Sequence, residues 1–182
     1  MTELELVNGC LRGDNASRKY VYELYSRKMM GICYRYTGDK SISQDLLHDG
    51  FLKVFESIDS FRYVGDGSFR AWINRIFVNT TFDYLRKNDK WNKPVSLEEW
   101  HENNIVLEEN DFEPIPDDVL FRFISELPYG YRTVFNLYVF EEMPHREIAL
   151  MMGINESSSR SQLSRAKMIL SEKIKKYALK YG

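Results

Sequence analysis

The stretch that decides the reading is residues 144–170, PHREIALMMGINESSSRSQLSRAKMIL. It spells two helices joined by a tight turn. Helices crossing at a steep angle need a small residue at the contact, which Ala149 supplies; the turn needs a residue at ease with positive φ, which Gly153 supplies. Ile148, Met152, Ile154 and Leu163 fall where such a pair buries its inner faces. Pro144 suits the first turn of the first helix, where its missing N–H costs little, and Asn155 is placed to cap the second. The second helix opens Asn155-Glu156-Ser157-Ser158, and its outward positions are short and polar, then basic: Ser158, Arg160, Ser161, Gln162, Ser164, Arg165 and Lys167. Small hydroxyl residues allow close approach to a major groove. Arg and Gln can read guanine and adenine edges, and Lys and Arg hold phosphates. Residues 143–170 are therefore expected to form a DNA-binding helix-turn-helix, with His145 at its start as a cap neighbour or backbone-phosphate contact.

Working outward, helices are expected from residue 117 onward. Val119, Leu120, Phe123, Ile124 and Leu127 mark one, Leu127-Pro128-Tyr129-Gly130 a turn, and Val134, Phe135, Leu137, Tyr138 and Phe140 the next. Residues 160–180 carry seven basic side chains against one acid, Glu172. Residues 91–118 are the opposite, nine acidic against one lysine, with prolines at 94, 114 and 116, and read as a linker. The expectation is an all-α chain of two helical domains, residues 1–90 and 117–182, joined by an acidic linker over 91–116.

The first block has helical periodicity throughout. Leu4, Leu6, Val7 and Leu11 mark a short amphipathic helix, ended at Gly13-Asp14-Asn15, where Asp14 or Asn15 caps the next. Tyr20, Val21, Leu24, Tyr25, Met29, Ile32, Cys33 and Tyr36 recur at three- and four-residue steps as one apolar face, closed by Thr37-Gly38-Asp39. A helix over residues 41–57 places Leu46, Leu47, Phe51, Val54, Phe55 and Ile58 inward, with Gln44, Asp45, His48, Asp49 and Lys53 on its polar flank. Residues 62–68 form a loop by their two glycines. The helix over residues 69–87 mixes aromatics (Phe69, Trp72, Phe77, Phe82, Tyr84) with Arg70, Asn74, Arg75, Asn79 and Arg86. Aromatic and basic residues together suit melted DNA, whose bases can stack or enter a pocket. By periodicity most of these aromatics belong to the core; Asn79 is the candidate base contact and Arg75 and Arg86 the candidate phosphate contacts.

The bulk numbers exclude several classes. With 25 basic and 27 acidic residues the chain is not a uniformly basic, histone-like protein. No window approaches the run of about 18 apolar residues that a membrane helix needs, and the start, MTELELVNGC, lacks the pattern of a signal peptide. Cys10 and Cys33 form no CxxC pair and have no His at ligand spacing, so they read as free thiols in a reducing cytoplasm. His48, His101 and His145 are scattered, with no phosphate loop, metal cluster or triad spacing. Neither catalysis nor a cofactor is expected. A one-component regulator with a helical sensing domain is the alternative, but a sensor has no need of basic residues alternating with aromatics over residues 69–87.

Several strings in order, DLLHDGFLKVFESIDSF, FRAWINRIFVNTTFDYLR, LPYGYRTVFNLYVFEEM and HREIALMMGINESSSRSQLSRAK, resemble the group IV, or extracytoplasmic-function, sigma factors of bacteria. The first two resemble that family's region 2 and the last two its region 4; ELVNGCLRGD resembles the lead-in to region 2. The resemblance implies a protein that binds core RNA polymerase, at its clamp and flap, and directs it to promoter DNA. Region 2 would open and read the −10 element, and region 4 would read the −35 element as duplex. Carried over by position, Asp45, Leu46, His48, Asp49, Phe51, Leu52 and Phe55 fall on the helix that docks against the clamp. Residues 62–68, with Arg62, Asp66 and Ser68, fall on the loop that captures a flipped −10 base. Trp72, Arg75, Asn79 and Arg86 fall on the −10 helix. His145, Ser157, Ser158, Arg160, Ser161, Gln162, Ser164, Arg165 and Lys167 fall on the −35 reader. The resemblance also implies an anti-sigma factor as a partner. Two positions depart from the family's pattern. Ser157-Ser158-Ser159 stands where many members have Gly-Thr-Val, so that Ser159 takes the place of a packed β-branched residue. His48 stands where Gln or Glu is common.

Overall fold

The computed structural model describes residues 2–88 and 115–181. The chain divides into two compact units, Met1–Asn88 and Asp89–Gly182. All but the last two residues of the expected acidic linker lie outside the described residues. Every regular element among those described is helical.

In the first unit, α1 (Glu3–Leu11), α2 (Asn15–Thr37), α3 (Lys40–Glu56) and α4 (Ser68–Lys87) pack around one core, with a single 3₁₀ turn, Ile58–Ser60, after α3. The boundaries follow local chemistry. Thr2 and Glu5 form a reciprocal capping box at the start of α1. Asp14 accepts from the amides of Ala16 and Ser17 to start α2, and Asp39 accepts from Ile42 to start α3; each such cap contributes about 1 kcal/mol. Gly38 ends α2 in the left-handed conformation, φ 67°.

Helix α2 is the spine, packed against α1, α3 and α4. Its buried stripe is Val21, Tyr25, Met29, Ile32, Cys33 and Tyr36. Tyr20 and Leu24, expected on that face, are 44% and 52% exposed, as are Leu4 and Leu11 of α1 at 43% and 47%. The stripe is narrower than the apolar pattern because no neighbouring helix covers those flanks. From α3 come Leu46, Leu47, Phe51 and Val54, and from α4 Phe69, Ile73, Phe77 and Leu85. Phe51 bridges the three helices, its ring 4.7 Å from that of Tyr22 and 5.2 Å from that of Phe77. Burial pushes the Cys33 thiol up to about 11 and raises Cys10 as well, so both stay protonated.

The second unit comprises α5 (Asp117–Ser125), α6 (Tyr129–Val139), α7 (His145–Met152) and α8 (Glu156–Tyr181). Helix α8 packs against the other three. Phe123, Ile124, Leu127, Val134, Leu137, Ile148, Ala149, Leu163, Ala166, Ile169 and Leu170 form its core. Tyr129 and Gly130, expected in the turn, are the first residues of α6, because Pro128 occupies its N-cap. Tyr138 and Phe140, expected inside, stand at 38% and 37% exposure.

One contact in the first unit gives a direct test. A Cβ on Gly50 would lie 2.4 Å from the buried Phe77 ring, so α3 and α4 approach too closely there for any side chain. Gly50→Ala is expected to destabilise this unit by about 1–3 kcal/mol, read from urea unfolding of the whole chain. An unchanged midpoint would mean that the Phe77 ring can step aside.

Candidate nucleic-acid interface

The helix-turn-helix is α7, a turn and α8. Gly153 ends α7 with φ 66°, and a Cβ there would meet nothing within 4 Å, so the requirement is conformational rather than steric. Ala149 and Ile148 are buried where α7 meets α8. Asn155 opens α8 as expected, its Oδ1 accepting from the Ser158 amide and from the Ser157 hydroxyl, both at 2.7 Å.

At about 100° per residue, Ser157, Arg160, Ser161, Ser164 and Arg165 share the outward side of α8, and all are exposed. The two arginines already have partners: Arg160 donates to Glu156, and Arg165 donates to the Tyr131 hydroxyl at 3.2 Å. Lys167 sits at the edge, its Nζ 5.8 Å from the centre of the Tyr138 ring. Ser158 is half-buried. Gln162 leaves the expected set: its Oε1 rests so close to α6 that a Cβ on Gly130 would come within 2.9 Å of it.

Ser159, the departure noted in the resemblance, is fully buried on the inner face of α8. Its hydroxyl lies 2.9 Å from His145 Nδ1, tying the start of α7 to the first turn of α8. The imidazole also stacks on Tyr138, centroids 4.6 Å apart and planes within 22°. His145 is thus a brace of the motif, with its ring on the wall of an open cleft of about 510 Å³ that it shares with Arg146, Glu156 and Arg160.

In the first unit, Asp45, His48, Asp49 and Leu52 of α3 are exposed along one flank, and Phe55 is half-buried. Leu46 and Phe51, expected on the docking face, turn into the unit's own core at 4% and 3% exposure; they can shape that face but not cover a partner. On α4, Arg75, Asn79 and Arg86 are exposed, and their spacings of four and seven residues put them in one stripe. Trp72 is half-buried above Phe61 and Phe69, at ring separations of 5.2 and 5.9 Å.

The loop of residues 62–68 is internally braced. Tyr63 donates to Asp66 at 2.7 Å, Ser68 donates to the Gly65 carbonyl at 2.6 Å, and Arg62 donates to the Asp59 carbonyl at 3.2 Å. Val64, which the sequence reading passed over, stands 85% exposed on it. A residue far away in sequence also reaches the end of this loop: Glu3 of α1, half-buried, accepts from the Gly67 amide at 2.9 Å and from the Phe69 amide at 2.7 Å. An acid in the first turn of a short helix reads locally as a dipole match, and nothing in the sequence around it points to α4.

Partial burial holds His145 below the usual imidazole value of 6.5; Arg160 and Lys167 add to the effect and Glu156 opposes it. The unfolded chain therefore takes up the proton first. The stability this group contributes is complete above about 6.5 and is lost as pH falls through the lower folded-state value. A ring-proton NMR titration should give a midpoint below 6.5, with the second unit's melting temperature falling over the same range. A midpoint at or above 6.5 would mean that the ring is solvated and the brace open.

Residues 21–90 match the family model for Sigma-70 region 2, and residues 118–170 match that for Sigma-70, region 4, together more than half of the chain. The ECF RNA polymerase sigma-E factor of Haemophilus influenzae is 27% identical over 96% of this chain and 96% of its own length. The RNA polymerase sigma-H factor of Pseudomonas aeruginosa is 28% identical over 90% and 89%. Among solved structures, the sigma factor RpoE of Bartonella quintana, determined in complex with the anti-sigma factor NepR, matches with a TM-score of 0.51 at 17% identity. The match covers 86% of this chain and 96% of that one, a likeness of fold. Two matched regions in order, and full-length relatives of one kind, place the chain in the sigma-70 family as an extracytoplasmic-function (ECF) sigma factor.

Proposed function

We propose that this sigma factor binds core RNA polymerase in the cytoplasm and directs it to promoters, without catalysis of its own. Residues 1–90 read the −10 element, residues 117–182 read the −35 element, and residues 91–116 connect them. The observation that carries this reading is the exposed stripe Arg75, Asn79 and Arg86 along α4, the helix into which the braced loop of residues 62–68 leads. A regulator that reads duplex through α8 alone has no use for a second polar and basic face on a helix that follows a braced loop.

Placement supports the following roles. Asn79 offers an amide to an exposed base edge, and Arg75 and Arg86 neutralise phosphates. Arg62, Val64, Asp66 and Ser68 line the loop that takes the flipped base, and Trp72 supports it. Asp45, His48, Asp49, Leu52 and Phe55 dock on the polymerase clamp, while the second unit meets the flap. In the second unit Ser157, Ser161 and Ser164 let α8 into the major groove, Arg160 and Arg165 reach bases or phosphates, and Lys167 holds the backbone. The cleft at His145, with Arg146 and Arg160, suits a phosphate at the groove edge. An anti-sigma factor completes the set of partners: any protein covering the α3 flank blocks polymerase docking. Among the described residues, no helix is long and apolar enough to cross a membrane.

Run-off transcription with and without this protein tests the reading. Core polymerase should initiate specifically only when it is present, and the protein alone should bind promoter duplex poorly. Tight protection of an operator by the free protein, with no initiation, would make it a stand-alone regulator instead. Arg160→Ala and Arg165→Ala should each weaken −35 recognition by about 1–3 kcal/mol while a polymerase pull-down stays intact. Loss of both together would point to misfolding.

A further inference from the structure

We propose that Glu3 is a positioning residue for −10 recognition, acting through the loop of residues 62–68 and the first turn of α4. The inference rests on the assignment of that loop to base capture. Residue 3 lies ahead of the stretch matched to Sigma-70 region 2, which begins at residue 21.

Helix α4 starts without a side-chain cap of its own: its N-cap is Gly67, in the left-handed conformation with φ 88°. Gly65 nearby has φ 129°. Two glycines this close leave the C-terminal end of the loop with little intrinsic preference for one path. Arg62 to Asp59 ties the start of the loop to the 3₁₀ turn, and Tyr63 to Asp66 and Ser68 to Gly65 hold the loop to itself, but these three bonds do not anchor its C-terminal end at Gly67 to the body of the unit. Glu3 provides that anchor. One carboxylate oxygen takes the Gly67 N–H and the other the Phe69 N–H, closing on both sides of the residue where loop becomes helix. Both bonds are charge-assisted, and the carboxylate sits at the positive end of a 20-residue helix, which strengthens them.

Glu3 is itself held in place. The Thr2–Glu5 capping box fixes the first turn of α1 from the other side. Leu6 and Val7 are buried, seating α1 on the body of the unit. The loop is thus fixed before DNA arrives, and a base entering it does not have to order it. A loop that must be ordered on binding weakens capture by the fraction of time it spends in other conformations.

The test uses holoenzyme assembled from the full chain and core polymerase, on a promoter fragment enriched by the wild-type holoenzyme from a random-sequence library. The fragment carries 2-aminopurine at the −10 base. Glu3→Ala should lower the opening signal, and the affinity for the single-stranded −10 oligonucleotide, by about tenfold. Affinity for core polymerase and for a −35-only duplex should stay within about twofold of wild type. Glu3→Gln keeps one carbonyl acceptor and should recover part of the loss. Amide exchange at Gly67 and Phe69 in the free chain reads the clamp directly and should rise in Glu3→Ala. Faster exchange with wild-type opening would overturn the proposal, and so would a Glu3→Gln variant as impaired as Glu3→Ala in all three affinities, because the effect would then be on folding. If wild-type holoenzyme enriches and opens no promoter, the sigma-factor reading itself falls, whatever Glu3 does.

Discussion

The close approach of α3 to α4 at Gly50 and Phe77 sets the first unit. A fully buried phenylalanine contributes about 1.5–3 kcal/mol, and this one does so only because residue 50 has no side chain to displace it. With the two helices locked at that point, their opposite faces have no choice of direction. The exposed flank of α3 carries Asp45, His48, Asp49 and Leu52, and the exposed stripe of α4 carries Arg75, Asn79 and Arg86. One apolar contact therefore sets the flank proposed for polymerase docking and the stripe proposed for DNA reading on separate helices of one packed core.

The second unit is organised around a helix that is core on one side and polar to basic on the other. Leu163, Ala166 and Leu170 bury the inner side of α8 while Ser157, Ser161, Ser164, Arg160 and Arg165 look outward. Ser159 belongs to the inner side, where the family's pattern has an apolar residue. A hydrogen bond contributes about 1 kcal/mol net, and the methyl groups it replaces about 0.8 kcal/mol each. The two solutions are close in energy, but the Ser159–His145 bond is directional. It ties the start of α7 to the first turn of α8, the helix whose outward stripe is proposed to read DNA.

Charge is arranged so that little is lost when DNA binds. Arg160 is held by Glu156 and Arg165 by Tyr131 in the free protein, both at the surface. Exposed contacts of this kind are worth about 0–1 kcal/mol, so they are readily exchanged for the DNA contacts proposed for these two arginines. The near-neutral total hides this division, with basic residues gathered on α8 and acidic residues gathered before α5.

Sequence alone settled what depends on neighbours within a turn or two: the all-α class, most helix limits, and the ends at Gly153 and Asn155, while it narrowed the start of α2 to Asp14 or Asn15 and its end to Thr37-Gly38-Asp39. Those features rest on hydrogen bonds and dihedral preferences spanning at most four residues, and side-chain type decides them. The outward arginines and serines of α8 were legible for the same reason, since a helix with a known inner face has a known outer one. What the residues could not disclose was coverage by distant segments. Tyr20 and Leu24 follow the apolar period yet stay exposed because, among the described residues, no helix covers them, and Gln162 looks fully outward in sequence but is half-buried beside Gly130 of α6. The Ser159–His145 brace spans 14 residues and the Glu3 clamp on α4 spans 64 and 66. Neither leaves a local mark, because a hydroxyl or a carboxylate reads the same whether its partner is water or a helix brought beside it by the fold.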